Sequence, residues 1–468
     1  MAFRAGRADQ PAPAVPRPCS RRALLRSLAS LGVAALAGCE APLHPELAAP
    51  QATRVTLEYW LADQNPDVRR AWGAVVAPAL ADRLPQLDVR PAWFAWEELY
   101  PAIAAAVPSG RLPDLMQLRA PDAVSYGGQG MLLPLDGQLA ATGARGSFYP
   151  GTLGTGAWAG AIYGVPHLAA PRTRHWRADL LEAAGIPAVP STWEETIEAV
   201  RRLTRLAGLD LERAGAEPPE VQEYLAAFAA ASAEPVIVAG RAQVGGVAGR
   251  EALRYLIERT GPARTRAGVL TLPRGALHPL ADGRLASLYT DLAGSTGLLL
   301  RERPSLADRL VAGRPPVPGR QDFHPDSLRA GLPAMLAFAN WTGIAAASAH
   351  PDPAWHALEV ALAGAPLAAL NRALFTIPPR AGGPRPDHLA DGAGATALEL
   401  LATYGVAPFK CPAHSAVLEH IRIAVQSSVA GGVEPSESLA IAAFDIDATL
   451  NAAGFAGDIV PDRDPRFY

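Results

Sequence analysis

The chain has 468 residues, 49% of them hydrophobic, enough for two sizeable cores. Residues 1–38 carry six arginines and one aspartate, so the remainder holds 36 basic against 44 acidic residues, a net of −8. No basic stripe runs through it, which excludes nucleic acid as the expected partner. Of three cysteines, Cys19 and Cys39 fall in the N-terminal segment and Cys411 stands alone. That excludes a disulfide framework, and no Cys/His spacing suggests a metal or another cofactor.

Residues 1–39 read as a targeting segment. Arg17, Arg21, Arg22 and Arg26 form a basic start, and 28–37 is an apolar run too short for a final membrane anchor. Leu36, Ala37, Gly38 and Cys39 have the form of a lipobox, in which small residues precede a cysteine that takes a diacylglyceryl group. Ser20 to Leu25 resembles a twin-arginine signal, so the export route stays open. Residues 40–52 are Pro/Ala-rich and read as a tether.

Strands and helices then alternate. A strand is expected over 54–60, an amphipathic helix over 68–84 interrupted at Pro78, a strand over 87–94 and a helix over 96–107. A short buried strand follows at 113–118, then a helical stretch at 123–130. This alternation predicts an α/β protein with a helix-covered sheet. Residues 161–165 read as a strand that Pro166 stops. Residues 177–184 read as a helix that Gly185 ends. Ser191 and Glu194 have capping-box spacing for the next helix. The region 191–265 reads as mostly helical. The glycines between 240 and 249 lack the register and lysine of a phosphate loop. Helices are expected over 353–362, 415–430 and 436–453.

The order YGVP (163–166), then DLLEAAGI (179–186), then PSTWEE (190–195) resembles the extracellular solute-binding proteins of sugar ABC importers, the group that includes maltose-binding protein. PDLMQL (113–118), MLLPLD (131–136), ADGRLASLYTD (281–291), NWTGIAAAS (340–348) and LFTIPPR (374–380) extend the resemblance over about 53–455. It implies an α/β, two-lobed periplasmic-binding-protein fold with a hinge and an interlobe cleft. It also implies lobe 1 at 53–166 plus 309–350 and lobe 2 at 167–308 plus 351–468. Crossings are then expected near 164–168, 309–320 and 348–356.

The resemblance implies ligand residues at the strand ends and hinge: Trp60, Asp63, Arg119, Asp122, Tyr163, His167, Tyr289, Asp291, Trp341 and Arg380. It implies Cys39 as the lipidation site and no catalytic residues. The implied partners are a small solute, a sugar above all, the subunits of an ABC permease, and the membrane through the lipid anchor. The protein is expected to be a monomer. A sugar shows hydroxyls at its edge and C–H groups on its faces, so aromatic planes with Asp, Asn and Arg suit it. Alternatives stay open. Trp60 and Trp341 also suit a lobe core, and Arg119 and Asp122 a solvated face. Asp291, Leu292 and Ala293 stand where many relatives carry an aromatic ligand loop, which leaves a polyol, a glycerol phosphate or a sensor-feeding receptor open. A surface glycoside hydrolase using Asp63 and Asp122 is the remaining alternative.

Overall fold

The computed structural model describes residues 54–455 apart from 64, 209, 233, 262–277, 292–296, 320–332 and 391. Cys39 and the targeting segment lie outside these residues. The sheet strands are β1 (Val55–Ala62), β2 (Leu87–Phe94), β3 (Leu115–Arg119), β4 (Val165–Arg177), β5 (Ser287–Asp291), β6 (Leu310–Ala312) and β7 (Met335–Ile344). The sheet runs β5-β4-β7-β3-β1-β2, with β6 also pairing with β4 and the two-residue strand Gly405–Val406 pairing with β7. β1, β2 and β3 are parallel; β7 is antiparallel to both β3 and β4.

Two cores divide the chain. The first gathers buried residues from Leu57 to Val165 and again from Ala339 to Leu370. The second gathers Trp193 to Leu256, Leu336 and Cys411 to Leu450. Smaller clusters extend this second side, one of them joining Ala169, Met335 and Ile377. β4 and β7 pass from one side to the other, so hydrogen bonding is continuous between them.

This corrects two boundaries. Residues 310–312 do not cross; they pair with His175 to Arg177 at the far end of β4. The return run is β7 itself. The helices Pro351–Ala361 and Gly364–Leu374 pack in the first core, because Ala354, Trp355, Leu358 and Leu370 form apolar faces against it. The last passage is therefore at 371–377, not 348–356.

Local chemistry explains other departures. Pro166 does not stop the strand at 161–165; it is the second residue of β4, near a strand start where a missing donor costs least. The pairing slips by one residue just after it, so His167 is the bulged residue between Pro166 (opposite Trp341) and Leu168 (opposite Asn340). The capping box is shifted by one: Thr192 Oγ1 accepts from the Glu195 N–H at 3.2 Å and the Glu195 carboxylate accepts from the Thr192 N–H at 3.1 Å. Around Pro78 the helix is not broken. A π-helical segment, Trp72–Val76, precedes Ala77–Arg83, and the altered hydrogen bonding absorbs the missing N–H.

Candidate functional site

Residues directly opposed across a strand pair project to the same face of a sheet. Arg119 is opposed to Asn340, Asn340 to Leu168, Phe338 to Ala170, and Asp291 to Arg172. One face therefore carries, from β3 across to β5, Arg119, Asn340, Phe338, Arg172 and Asp291. None of these five is buried, whereas the alternate residues Leu118, Trp341, Ala339 and Thr173 are. This row crosses the sheet where β4 and β7 pass between the cores.

At its β3 end, the Arg119 guanidinium lies 4.8 Å from the ring centre of Trp96 and 5.4 Å from that of Tyr100. Tyr100 donates to Asp122 at 2.5 Å and accepts from the Arg119 N–H at 3.2 Å. Burial raises the Asp122 carboxyl above its usual range, against the pull of Tyr100 and Arg119. At the other end the Arg172 guanidinium lies 5.8 Å from the Phe338 ring, 3.5 Å from Glu220 and 3.8 Å from Asp291. The row thus alternates guanidinium forks, carboxylates, an amide and aromatic planes.

The face continues into a narrow pocket lined by Arg172, Arg174, Tyr289, Trp193, Tyr255 and Glu223. Trp193 and Tyr255 stack there with ring centres 4.6 Å apart. The Tyr289 hydroxyl is buried with no hydrogen-bond partner among the described residues.

The other expected residues sit elsewhere. Trp60 is opposed to Met116, which places it on the face opposite to Arg119, and it packs against Phe94 at 5.1 Å. Asp63 accepts from the Asn65 N–H at 2.7 Å and shapes the turn after β1; burial raises its carboxyl. Tyr163 packs on helix Ala120–Gly128, so closely that a Cβ on Gly127 would stand 2.2 Å from its ring. Trp341, expected as a ligand plane, is fully buried and donates from its indole to Thr155 Oγ1 at 2.7 Å. Arg380 lines a separate depression. The structure thus sets Arg119 and Asp291 at opposite ends of one row on a single sheet face, with Asp122 joined to Arg119 through Tyr100 and Tyr289 in the adjoining pocket. Sequence reasoning missed Arg172, Phe338, Asn340, Trp96 and Tyr100. Phe338 and Asn340 alternate with Ala337 and Ala339, a strand signal readable in the sequence.

His167 is buried, its Nδ1 3.3 Å from Thr342 Oγ1, which in turn meets the Tyr59 hydroxyl at 2.6 Å. Burial lowers its pKa to about 3; burial lowers His175 and His414 each to about 4, with Arg174 assisting at His175. Each folded value lies below the unfolded 6.5, so the unfolded chain binds more protons between these values. Stability from the three is complete above about pH 6.5 and falls as pH drops, by roughly 1.4 kcal/mol per unit for each histidine. The raised carboxyls of Asp63 and Asp122 act in the opposite sense. Urea midpoints measured from pH 7 to 5 are expected to fall; midpoints that hold or rise sink this expectation.

No family model matches the chain. Among curated proteins, an uncharacterized lipoprotein in the oleD 5' region of Streptomyces antibioticus is 29% identical over 177 residues, 36% of this chain and 37% of that protein. The match thus spans little more than a third of that relative. Among solved structures, the sugar-binding protein MalE from Xanthomonas citri superposes with a TM-score of 0.72 at 20% identity, covering 86% of this chain and 98% of its own. The chain has the two-lobed solute-binding-protein fold. The GacH receptor of Streptomyces glaucescens, solved unliganded and with acarbose, shares this two-lobed fold at a TM-score of 0.67 and 17% identity, covering 85% and 99% of the two chains. In a two-lobed binding fold the row from Arg119 to Asp291 occupies the passage between the two cores.

Proposed function

We propose that the protein binds a small solute, a mono- or oligosaccharide, outside the cytoplasm and delivers it to an ABC permease. The observation that carries this reading is the single sheet face on which Arg119, Asn340, Phe338, Arg172 and Asp291 line up between the cores. Phe338, with Trp96 and Tyr100 beside Arg119, offers planes for sugar C–H faces, while the forks, amide and carboxylates suit hydroxyls. Structural neighbours described as binding sugars, including acarbose, support it. They are binding proteins, which favours binding over turnover. A ligand touching both sides holds the cleft shut because only the closed form offers it both sets of contacts.

The test is calorimetric titration of the protein against a panel of mono- and oligosaccharides, polyols and glycerol phosphates. A sugar is expected to bind, and Phe338→Ala to weaken it by about ten- to a hundredfold, the value of roughly 1.5–3 kcal/mol of aromatic burial. Affinity within twofold of the parent in both Phe338→Ala and Arg172→Gln rules this placement out. Cys39 is proposed as the acylated N-terminus of the mature protein; mass spectrometry showing an unlipidated start elsewhere removes the anchor.

A further inference from the structure

A second depression, of about 170 Å³, shares no lining residue with the sheet face or its pocket. It lies by Val165 at the start of β4. Phe148, Val165, Trp355, Leu358 and Leu362 give it apolar walls, and Arg380 is its cationic group. Arg380 is fixed in place: Tyr149 N–H donates to Pro379 O at 2.9 Å, Ala381 N–H to Ser147 O at 2.7 Å, and Phe148 is bridged to Arg380. Its Nε donates to Ser147 Oγ at 3.0 Å and its guanidinium stacks 5.3 Å from the Phe148 ring centre. Among the described residues its two terminal amino groups have no hydrogen-bond or ion-pair partner. Burial holds its pKa below the usual arginine range, against the pull of Glu359. Glu359, on the same wall, is not in ion-pair contact with it and is held by His356 Nδ1 at 2.9 Å.

A planar fork half-removed from water with its two-donor edge unfilled is matched by a carboxylate, which it binds with two parallel bonds. The apolar walls beside it match a short hydrocarbon or aromatic body. We propose that this depression is a second ligand site, for a small amphipathic carboxylate whose charged end pairs with Arg380 and whose body lies against Trp355 and Leu358. The position gives it a consequence. Trp355, Leu358 and Leu362 belong to the first core, while Arg380 sits just past the passage at 371–377 that leads out of it. An occupant ties the two together at the edge of the crossing strands.

Titration of the full chain with phenylacetate tests this, with 2-phenylethanol as the neutral analogue. Saturable phenylacetate binding is expected, weakened by roughly tenfold or more in Arg380→Gln and for the alcohol. Thr142 is exposed at the mouth of the depression, so Thr142→Trp should block phenylacetate while leaving the fold intact, independently of how Arg380→Gln folds. Phe338→Ala should leave phenylacetate binding unchanged, which separates this site from the solute site. The proposal fails if folded parent protein shows no saturable binding below about 10 mM, if the alcohol binds as well as the acid, if Arg380→Gln and Thr142→Trp both bind normally, or if Phe338→Ala abolishes binding.

Discussion

Arg259→Met is expected to cost about 3–5 kcal/mol of stability, because it strands a buried carboxylate. Arg259 is fully buried; it donates to Glu223 at 2.7 Å and to the Glu217 carbonyl at 3.2 Å. Arg174, also buried, holds Glu217 through two bonds of 2.9 and 3.0 Å and contacts Glu223 as well. Two cations thus balance two anions inside the second side of the molecule. Burial alone would raise the Glu217 carboxyl, but Arg174 and Arg259 outweigh it and hold it below its usual range. Removing one cation leaves two carboxylates on one guanidinium. The network also carries the site: Glu217 accepts the Tyr289 N–H at 2.9 Å, which fixes β5 to the helices Val221–Ala231 and Val247–Thr260 behind the pocket. Urea denaturation of the variant measures the loss. Adding Glu223→Gln should recover part of it, since the two residues share one interaction. A loss under about 1 kcal/mol, with no coupling between the two positions, sinks the account.

Trp341→Ala is expected to cost a similar amount, about 3–5 kcal/mol, through the cavity it opens. Its ring lies against Gly156 so closely that a Cβ there would stand 2.7 Å away, and its indole N–H bonds Thr155. The loss is therefore in packing density, which a small side chain cannot restore. Solute affinity, measured by calorimetry where the variant is still folded, should stay within a few-fold of the parent, because Trp341 projects to the face opposite Phe338. Thermal unfolding close to the parent's, or loss of binding without loss of stability, overturns the assignment of Trp341 to the core.

Period and punctuation determined much of this protein. The limits of β2 at Leu87 and Phe94 are those the alternation predicts, because Leu87, Val89 and Trp93 fall on alternate positions, Pro85 precedes the run and the helix Trp96–Ala106 follows it. The helix closed by Gly185, at a φ of +64°, and the terminal pair His414–Val429 and Pro435–Ala452 follow from local signals for the same reason. The motif order gave the two-lobed fold, and it set Arg119, Asp122 and Asp291 at or just past strand ends. What the sequence alone did not settle was which face a residue takes. Trp60 and Arg119 both sit at strand ends, yet side chains alternate and register alone decides that one joins the core rim and the other the open face. Likewise Trp341 is buried and Phe338 is not, although both are aromatic residues of one strand, because they lie on opposite sides of β7. Only tertiary pairing brought Arg172, Phe338 and Asn340 onto one face, since their strands are more than 150 residues apart in the chain and no local pattern encodes a long-range register.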